Sequence, residues 1–306
     1  MKKVLICMLI MLVSVGAFAS WTFDKAVGSS GESGQYIDVD SQGDVWVTNY
    51  GTPGTYSGVA IYDSEGNLST TITDGQISGS PTAFATAGGV ACDTDNGIVY
   101  CVSYGSKHIF KFNDSTNAPM DGIDLAGVTP NAPGDVAMLT SGSQKLLVLV
   151  NKVSAEWGVL DPTILAPTSY IVQFGVSGWH LNRGCGVDDT NKNVYLGDES
   201  ANECTLWEQT EPGVWVQGTS IDTTGSGQSA SEVDDNGNVY VSCTASNEIK
   251  IYDNAGSLVE TVTDEVYSPR GCGFGVGKLY NVRFTGDHEM LGIYTGETGV
   301  GDWLEY

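Results

Sequence analysis

One residue pattern recurs six times along this chain of 306 residues. Each copy has a short apolar segment, a turn rich in Asp, Asn and Gly, and a second apolar segment that usually holds an aromatic residue. The copies read YIDVDSQGDVWV from Tyr36, VACDTDNGIVYCV from Val90, VAMLTSGSQKLLVLV from Val136, CGVDDTNKNVYLG from Cys185, SEVDDNGNVYVSC from Ser231 and CGFGVGKLYNV from Cys272. A chain that repeats one short unit this often is expected to fold as an array of similar structural units.

The second segments of the repeats fall at intervals of 40 to 54 residues, measured between Trp46, Tyr100, Val148, Tyr195, Tyr240 and Tyr280. Four short strands per unit at this period are typical of propeller blades, so we predict an all-β, six-bladed β-propeller of four-stranded antiparallel blades. The expected blades cover roughly residues 31–74, 77–125, 131–174, 176–222, 227–264 and 266–306. A terminal strand has to close the ring, and residues 21–27 are slightly favoured over residues 300–306 for this place.

The first 19 residues, MKKVLICMLIMLVSVGAFA, have the organisation of a secretory signal peptide. Two lysines precede an apolar run, and Ala17-Phe18-Ala19 supplies the small residues that flank a cleavage site. The apolar run is too short for a comfortable membrane span. We therefore expect an exported protein, periplasmic or extracellular, that begins near Ser20, forms a single domain and has no membrane span.

Acidic residues dominate the charged residues of the chain. Asp and Glu number 37 against 13 Lys and Arg, which gives a formal net charge of −24. Phosphate backbones and anionic lipid surfaces attract basic proteins, so neither nucleic acid nor a membrane surface is an expected partner. A solvated acidic surface that keeps an exported protein in solution explains this charge, and attraction of divalent cations is the alternative.

Six cysteines follow the predicted cleavage site, and an even number in an exported protein suggests disulfides. Asn96-Gly97 is a strong signal for a two-residue hairpin turn. Counting outward from that turn places Cys92 opposite Cys101, where the side chains of paired strands lie closest. We predict a Cys92–Cys101 disulfide, and the pairing of Cys185, Cys204, Cys243 and Cys272 stays open.

The fifth unit, EVDDNGNVYVSCTASNEIKIYDNAGSLVETV, and the first, through IDVDSQGDVWVTNY and GVAIYDSEGNLSTTI, resemble NHL repeats. The family pattern is an apolar-Asp strand, an Asp-x-x-Gly-Asn turn, an aromatic strand, and a strand that ends in Phe-Asp or Tyr-Asp before a Gly turn. The resemblance covers most of residues 31–299 and implies a propeller. Such propellers serve as protein-binding platforms, as RNA binders, which the charge disfavours, and as enzyme scaffolds. Enzymes of similar architecture are gluconolactonase-like lactonases, peptidyl-amide lyases and streptogramin lyases, which use a divalent metal or His residues near the channel mouth.

We expect a ligand site on the face of the ring where the first strands begin. Two copies of Arg-Gly-Cys-Gly place Arg183 and Arg270 there, where they would suit a carboxylate or another anion, unless each pairs with a local acid. The three histidines of the chain, His108, His180 and His288, are assigned to the same face in alternate blades. They would suit zinc, as in the peptidyl-amide lyases, although only His180 sits at a first-strand start as the family's histidines do. Exposed loop positions are the alternative.

Three acids are expected on or near first strands, namely Asp38, Asp135 and Glu232. Facing the channel, their oxygens would suit calcium, and hydrogen bonds to channel water or to the two arginines are the alternative. Lactonase-like propellers hold their metal with acids and amides from separate blades, but their motif is not matched here residue by residue. The Asp-rich segments 38–44 and 234–238 lack the closing Glu of an EF-hand loop, so we interpret them as tight turns.

No Gly-x-Ser-x-Gly, Walker-type or His-Glu-x-x-His motif is present. We therefore favour a binding scaffold for a small-molecule or protein ligand at the channel mouth over an enzyme. The first alternative is a metal-dependent hydrolase or lyase that holds calcium or zinc, and the second is a structural surface or matrix protein. The residues name neither the ligand nor the oligomeric state.

Overall fold

Six small β-sheets make up the computed structural model of this chain. It describes residues 20–29, 33–51, 57–128, 132–152, 156–175, 182–199, 201–223, 227–284 and 288–296, without the side chains of residues 182, 183 and 228–230. These residues form 27 strands and no helix, so none of them belongs to a helix that would span a membrane. The predicted all-β, six-bladed propeller is confirmed.

The blades follow one another along the chain. Blade 1 contains β2 (Gly34–Val39), β3 (Val45–Asn49), β4 (Gly58–Tyr62) and β5 (Leu68–Ile72). Blade 2 contains β8 (Ala87–Asp93), β9 (Ile98–Ser103), β10 (His108–Asn113) and β11 (Pro119–Asp124), extended outward by the hairpin of β6 (Asp74–Ile77) and β7 (Ser80–Ala83). Blade 3 contains β12 (Pro133–Ser141), β13 (Gln144–Asn151), β14 (Glu156–Leu160) and β15 (Val172–Gly175).

Blade 4 contains β16 (Asn182–Asp188), β17 (Asn193–Asp198), β18 (Glu203–Glu211) and β19 (Val214–Gln217), and β20 (Ile221–Asp222) also pairs with β18. Blade 5 contains β21 (Gln228–Val233), β22 (Val239–Cys243), β23 (Glu248–Tyr252) and β24 (Leu258–Val262). Blade 6 contains β25 (Pro269–Gly275), β26 (Lys278–Arg283), β27 (Leu291–Gly296) and, from the start of the chain, β1 (Trp21–Val27).

The first strands of the blades form a closed inner ring. Each contacts the first strands of both neighbours, in the order β2, β8, β12, β16, β21, β25 and back to β2. The second strands carry the aromatic residues of the repeats, and these are buried between blades, as where Trp46 of blade 1 packs on Phe112 of blade 2 at 5.9 Å between ring centroids. One repeat alone would leave such faces in water, so the blades stabilise one another.

The N-terminal strand closes the ring. β1 pairs antiparallel with β27, from Trp21 opposite Gly296 to Val27 opposite Leu291. Phe23 packs edge-on against Tyr294 at 5.6 Å, and Trp21 contacts the ring of Phe274 at 6.3 Å. The expected closure by a terminal strand is confirmed, and residues 300–306, the competing segment, lie outside the described residues.

Four hairpin turns share one hydrogen-bonding arrangement, headed by Asp40, Asp63, Asp234 and Asp253. In each turn one carboxylate oxygen accepts the backbone N–H groups of the second and fourth residues that follow the Asp. The Gly three residues after the Asp has φ between 79 and 82°, a conformation that residues with a Cβ disfavour. These acids are therefore acceptors within the turn, which agrees with our interpretation of segments 38–44 and 234–238.

The predicted Cys92–Cys101 disulfide is wrong in its register. Cys92 lies opposite Val99, and Cys101 lies opposite Val90. Residues 94–97 form a four-residue turn instead of the two-residue turn that Asn96-Gly97 suggested, because the Asp93 carboxylate accepts hydrogen bonds from the backbone and side-chain N–H groups of Asn96. The longer turn shifts the strand register by two residues, and all six described cysteines are free thiols.

Candidate functional site at the channel mouth

The two faces of the ring are distinct. First strands begin on one face, here called the mouth face, and end at hairpins on the other, here called the turn face. In five blades the residue directly after the second strand donates its N–H to the carbonyl just before the first strand of the same blade. These equivalent residues surround the channel opening and are Tyr50, Tyr104, Lys152, Thr244 and Phe284.

Two cations of the mouth face lie over aromatic rings. The Nζ of Lys152, from blade 3, is 4.6 Å from the ring centroid of Tyr50 in blade 1 and 5.0 Å from that of Tyr104 in blade 2. The guanidinium of Arg270 lies 4.3 Å from the ring centroid of Phe284. Attraction to a ring face orients a cation. We call Tyr50, Tyr104, Lys152, Arg270 and Phe284 the mouth cluster, and all five are half-buried.

The two Arg-Gly-Cys-Gly segments occupy the same place in their blades. Gly186 lies opposite Tyr195 and Gly273 lies opposite Tyr280, so the two segments are equivalent by strand register. The side chain of Arg270 belongs to the mouth cluster, and that of Arg183 lies outside the described residues. The sequence did not lead us to predict Lys152, Tyr50 or Tyr104 as site residues. Their shared position, directly after a second strand, could have indicated them.

The histidines do not share an environment. The Nε2 of His108, at the start of β10, is 3.8 Å from the Asp124 carboxylate, and burial lowers the pKa of this imidazole. His288 stacks on Tyr267 with ring centroids 3.8 Å apart, and its blade is separated from that of His108 by blade 1. His180 lies outside the described residues. Across the described part of the chain, no group of three or more His, Cys, Asp and Glu residues is arranged to hold a metal ion.

Two of the predicted acids bind the backbone of the next blade. The Asp38 carboxylate accepts the N–H of Cys92 at 2.7 Å, and the Asp135 carboxylate accepts the N–H of Cys185 at 2.9 Å. A first strand is an edge strand, and its inner N–H groups need partners because buried donors without one are costly. Each carboxylate therefore completes the inner edge of the following blade. Glu232 accepts only the N–H of its neighbour Val233 among the hydrogen bonds described.

The three acids stand at two heights along the channel. Asp38 lies opposite Trp46 and Glu232 opposite Tyr240, which are equivalent positions of the repeat. Asp135 lies opposite Val150, two residues nearer the mouth face than the repeat position of Val148, which is roughly 7 Å along a strand. The space on the axis beside Asp135 and Glu232 measures about 10 Å³, the room of about one water molecule. A ligand larger than water therefore has no room on the axis at this depth.

Burial sets the protonation of these acids. It raises the pKa of Asp38 to about 6, with the charge of Asp40 adding to the effect. It raises the pKa of Asp135 to about 8, helped by the charge of Asp38, and raises the pKa of Glu232 well above its ordinary value, helped by Asp38 and Asp135. At pH 7 burial therefore favours the neutral, proton-bearing form of Asp135, and it disfavours the charged form of Glu232 in the same direction.

Comparison with known proteins identifies a fold and no family. No family profile matches the chain, and no curated protein matches its sequence. Among solved structures, a putative gluconolactonase matches with a TM-score of 0.67 and 12% identity, over 92% of this chain and 93% of the other. A streptogramin B lyase matches at 0.59 and 15% identity over 92% and 98%, and the virginiamycin B lyase of Staphylococcus aureus at 0.59 and 13% over 90% and 99%. The chain shares their broad propeller architecture, as expected. The NHL resemblance stays a prediction.

Proposed function

We propose that this chain is an exported β-propeller that binds a carboxylate-bearing ligand at the mouth cluster. The observation that carries the proposal is the position of Lys152 over Tyr50 and Tyr104, which brings residues of three blades together on the mouth face. Arg270 over Phe284 lies on the same face in blade 6. A chain of net charge −24 repels anions over most of its surface, so an anion needs a local group of cations. Lys152 and Arg270 are the cations that we assign to this role.

The position of the ligand follows from the shape of the channel. The axis narrows to the room of about one water molecule, so a ligand rests on the opening instead of entering it. The rings of Tyr50, Tyr104 and Phe284 supply an apolar surface beside the two charges. Export rests on the signal sequence of residues 1–19, and the start of β1 at Trp21, directly after the predicted cleavage site, is compatible with it.

Binding is tested with defined carboxylates and matched lysine variants. The probes are citrate, galacturonate, and a short peptide with a free or an amidated C-terminus, measured by calorimetric titration and by the thermal shift of the protein. We expect Lys152→Met and Arg270→Met each to weaken binding about tenfold or more, as loss of a charge-assisted contact does. Lys145→Met is the control, because Lys145 lies at the turn face and pairs with Asp95 at 2.6 Å.

Two results would argue against a carboxylate site. One is failure of all the carboxylates to bind. The other is equal binding by the wild type and by the Lys152 and Arg270 variants. Affinity is also expected to fall as salt concentration rises, because the mouth cluster is only half-buried and its charges are screened.

A metal-dependent hydrolase or lyase is the second candidate. It is favoured by the electrostatic interaction of Asp38, Asp135 and Glu232 around the axis, and by a fold shared with proteins described as a gluconolactonase and streptogramin lyases. Calcium or zinc would have to be held by these three acids. They fit such an ion poorly, because they stand at two heights and two of them, Asp38 and Asp135, already accept backbone N–H groups of the next blade. The binding scaffold is therefore the better supported function.

A further inference from the structure

Glu260 lies where the closing strand meets the neighbouring blade. This residue belongs to β24, the outer strand of blade 5, whereas β1 is the outer strand of blade 6. The backbone N–H of Trp21 donates to Oε1 of Glu260 at 3.1 Å, and the Ser20 side chain also donates to this carboxylate. The indole N–H of Trp21 donates to the Tyr240 hydroxyl at 3.3 Å, so the beginning of β1 is attached to blade 5 at two points.

The Ser20 side chain and the Trp21 N–H both bind the half-buried Glu260 carboxylate, so a charge on the Ser20 nitrogen would lie near this carboxylate. In the uncut chain this nitrogen is part of the neutral Ala19–Ser20 peptide bond. Hydrolysis of that bond adds one water, leaving a carboxylate on Ala19 and an amine on Ser20. An α-amino group has an ordinary pKa of about 7.7–8.0, so the new amine is mostly protonated at neutral pH. Cleavage thus replaces a neutral amide with a cation beside Glu260.

We propose that Glu260 receives the α-ammonium group created by cleavage after Ala19, and that this ion pair locks the ring-closing strand in place. This lock concerns how the ring is closed and not what the protein binds. It rests on the proposed export only because export supplies the cleavage that makes the new N-terminus. β1 is an outermost strand with one strand neighbour, β27, so contacts at its free end determine how firmly the ring is closed. The uncut chain lacks the ion pair and closes less firmly, which suits a chain that crosses a membrane before it folds.

The lock is tested on leaderless protein with defined N-termini, so the result does not depend on export. Three forms are compared: a chain that starts at Ser20, the same chain with its α-amine acetylated, and a chain extended by Gly-Gly before Ser20. Each is made with Glu260 and with Glu260→Gln. We expect acetylation or extension to lower the Tm of the Glu260 protein by about 2–4 °C, a shift typical of one partly buried interaction in a chain of this size. In Glu260→Gln the three forms are expected to melt together.

The control is Glu211→Gln, which removes an exposed acid of blade 4 and should leave the response to acetylation unchanged. Equal responses in the Glu260 protein and in the Glu260→Gln variant would overturn the lock, since a charge-independent end effect does not require this carboxylate. If Glu260→Gln does not fold, the wild-type chain that starts at Ser20 still tests the proposal. A Tm that acetylation of its α-amine leaves unchanged would overturn the lock. Intact-mass analysis of the exported protein checks the cleavage site separately, and a first residue other than Ser20 would also overturn it.

Discussion

The Asp38 carboxylate of blade 1 accepts the backbone N–H of Cys92 in blade 2 at 2.7 Å. Asp135 of blade 3 makes the same kind of contact with Cys185 of blade 4, at a different height along the channel. Side chains of two odd-numbered blades thus complete the hydrogen bonding of the edge strands that follow them, and these links join the blades around the axis. The same burial that makes these contacts strong also raises the pKa of both acids.

The Asp135 carboxyl is expected to make the protein less stable as the pH rises. Its pKa is 3.8 in a model compound and about 8 in the fold, so the folded state binds more protons than the unfolded state between these values. The stabilisation is complete below about pH 4 and is lost as the pH rises through 8. Asp135→Asn keeps an oxygen acceptor for Cys185 but does not titrate. The difference between the Tm of this variant and that of the wild type should therefore increase from pH 5 to pH 9. If the two curves of Tm against pH ran parallel, they would contradict the raised pKa of Asp135.

The turn acid Asp40 is expected to matter far more than its exposed counterparts. Its carboxylate accepts the N–H groups of Gln42 and Asp44 and, at 2.7 Å, the indole N–H of the fully buried Trp46. Asp40→Ala leaves that indole donor without its partner, so urea denaturation should show a loss of about 2–3 kcal/mol in unfolding free energy. Asp253→Ala, which removes the same two backbone contacts from an exposed turn of blade 5 and leaves no buried indole unpaired, should lose only about 1 kcal/mol. Equal losses of unfolding free energy in the two variants would show that the hydrogen bond from Trp46 to Asp40 does not contribute to stability.

The cysteines are expected to behave as buried thiols. All six described cysteines are free, and five of them are buried. In protein that starts at Ser20 and so lacks Cys7, a thiol-specific reagent without a reductant should react slowly or not at all with the native state and should count six thiols per chain after unfolding in denaturant. Four thiols, or a mobility change on reduction, would instead restore a disulfide to the fold.

Metal analysis separates the binding scaffold from the metal-dependent enzyme. Because the three acids stand at two heights and two of them accept backbone N–H groups of the next blade, protein dialysed without chelator should carry well under one equivalent of calcium, zinc or manganese. A chelator should then leave both the Tm and carboxylate binding unchanged. One equivalent of metal that disappears in Asp38→Ala or Glu232→Ala would favour the enzyme, and lactones would be the next substrates to screen.

The architecture was predictable because its determinants are local and repeated. Each Asp-x-x-Gly turn and each aromatic second strand specifies its own hairpin, and the period of the repeats supplies the number of blades. The site depended on non-local detail. The turn headed by Asp93 shifts the register of the cysteines, and the link from Asp135 to the Cys185 N–H joins residues 50 positions apart in different blades. Lys152 contacts rings in two other blades, and the residues around it in the sequence do not indicate these contacts.

The strand pairing in blade 6 also bears on how this protein can be re-engineered. Trp21 lies opposite Gly296 in adjacent antiparallel strands, so the start of β1 and the end of β27 are hairpin neighbours. A short loop that joins them would let the chain be opened in an exposed turn elsewhere, such as residues 63–67 of blade 1, without removing a strand from any sheet. The blade at which synthesis begins is therefore separable from the cyclic order of the blades around the axis, which stays the same.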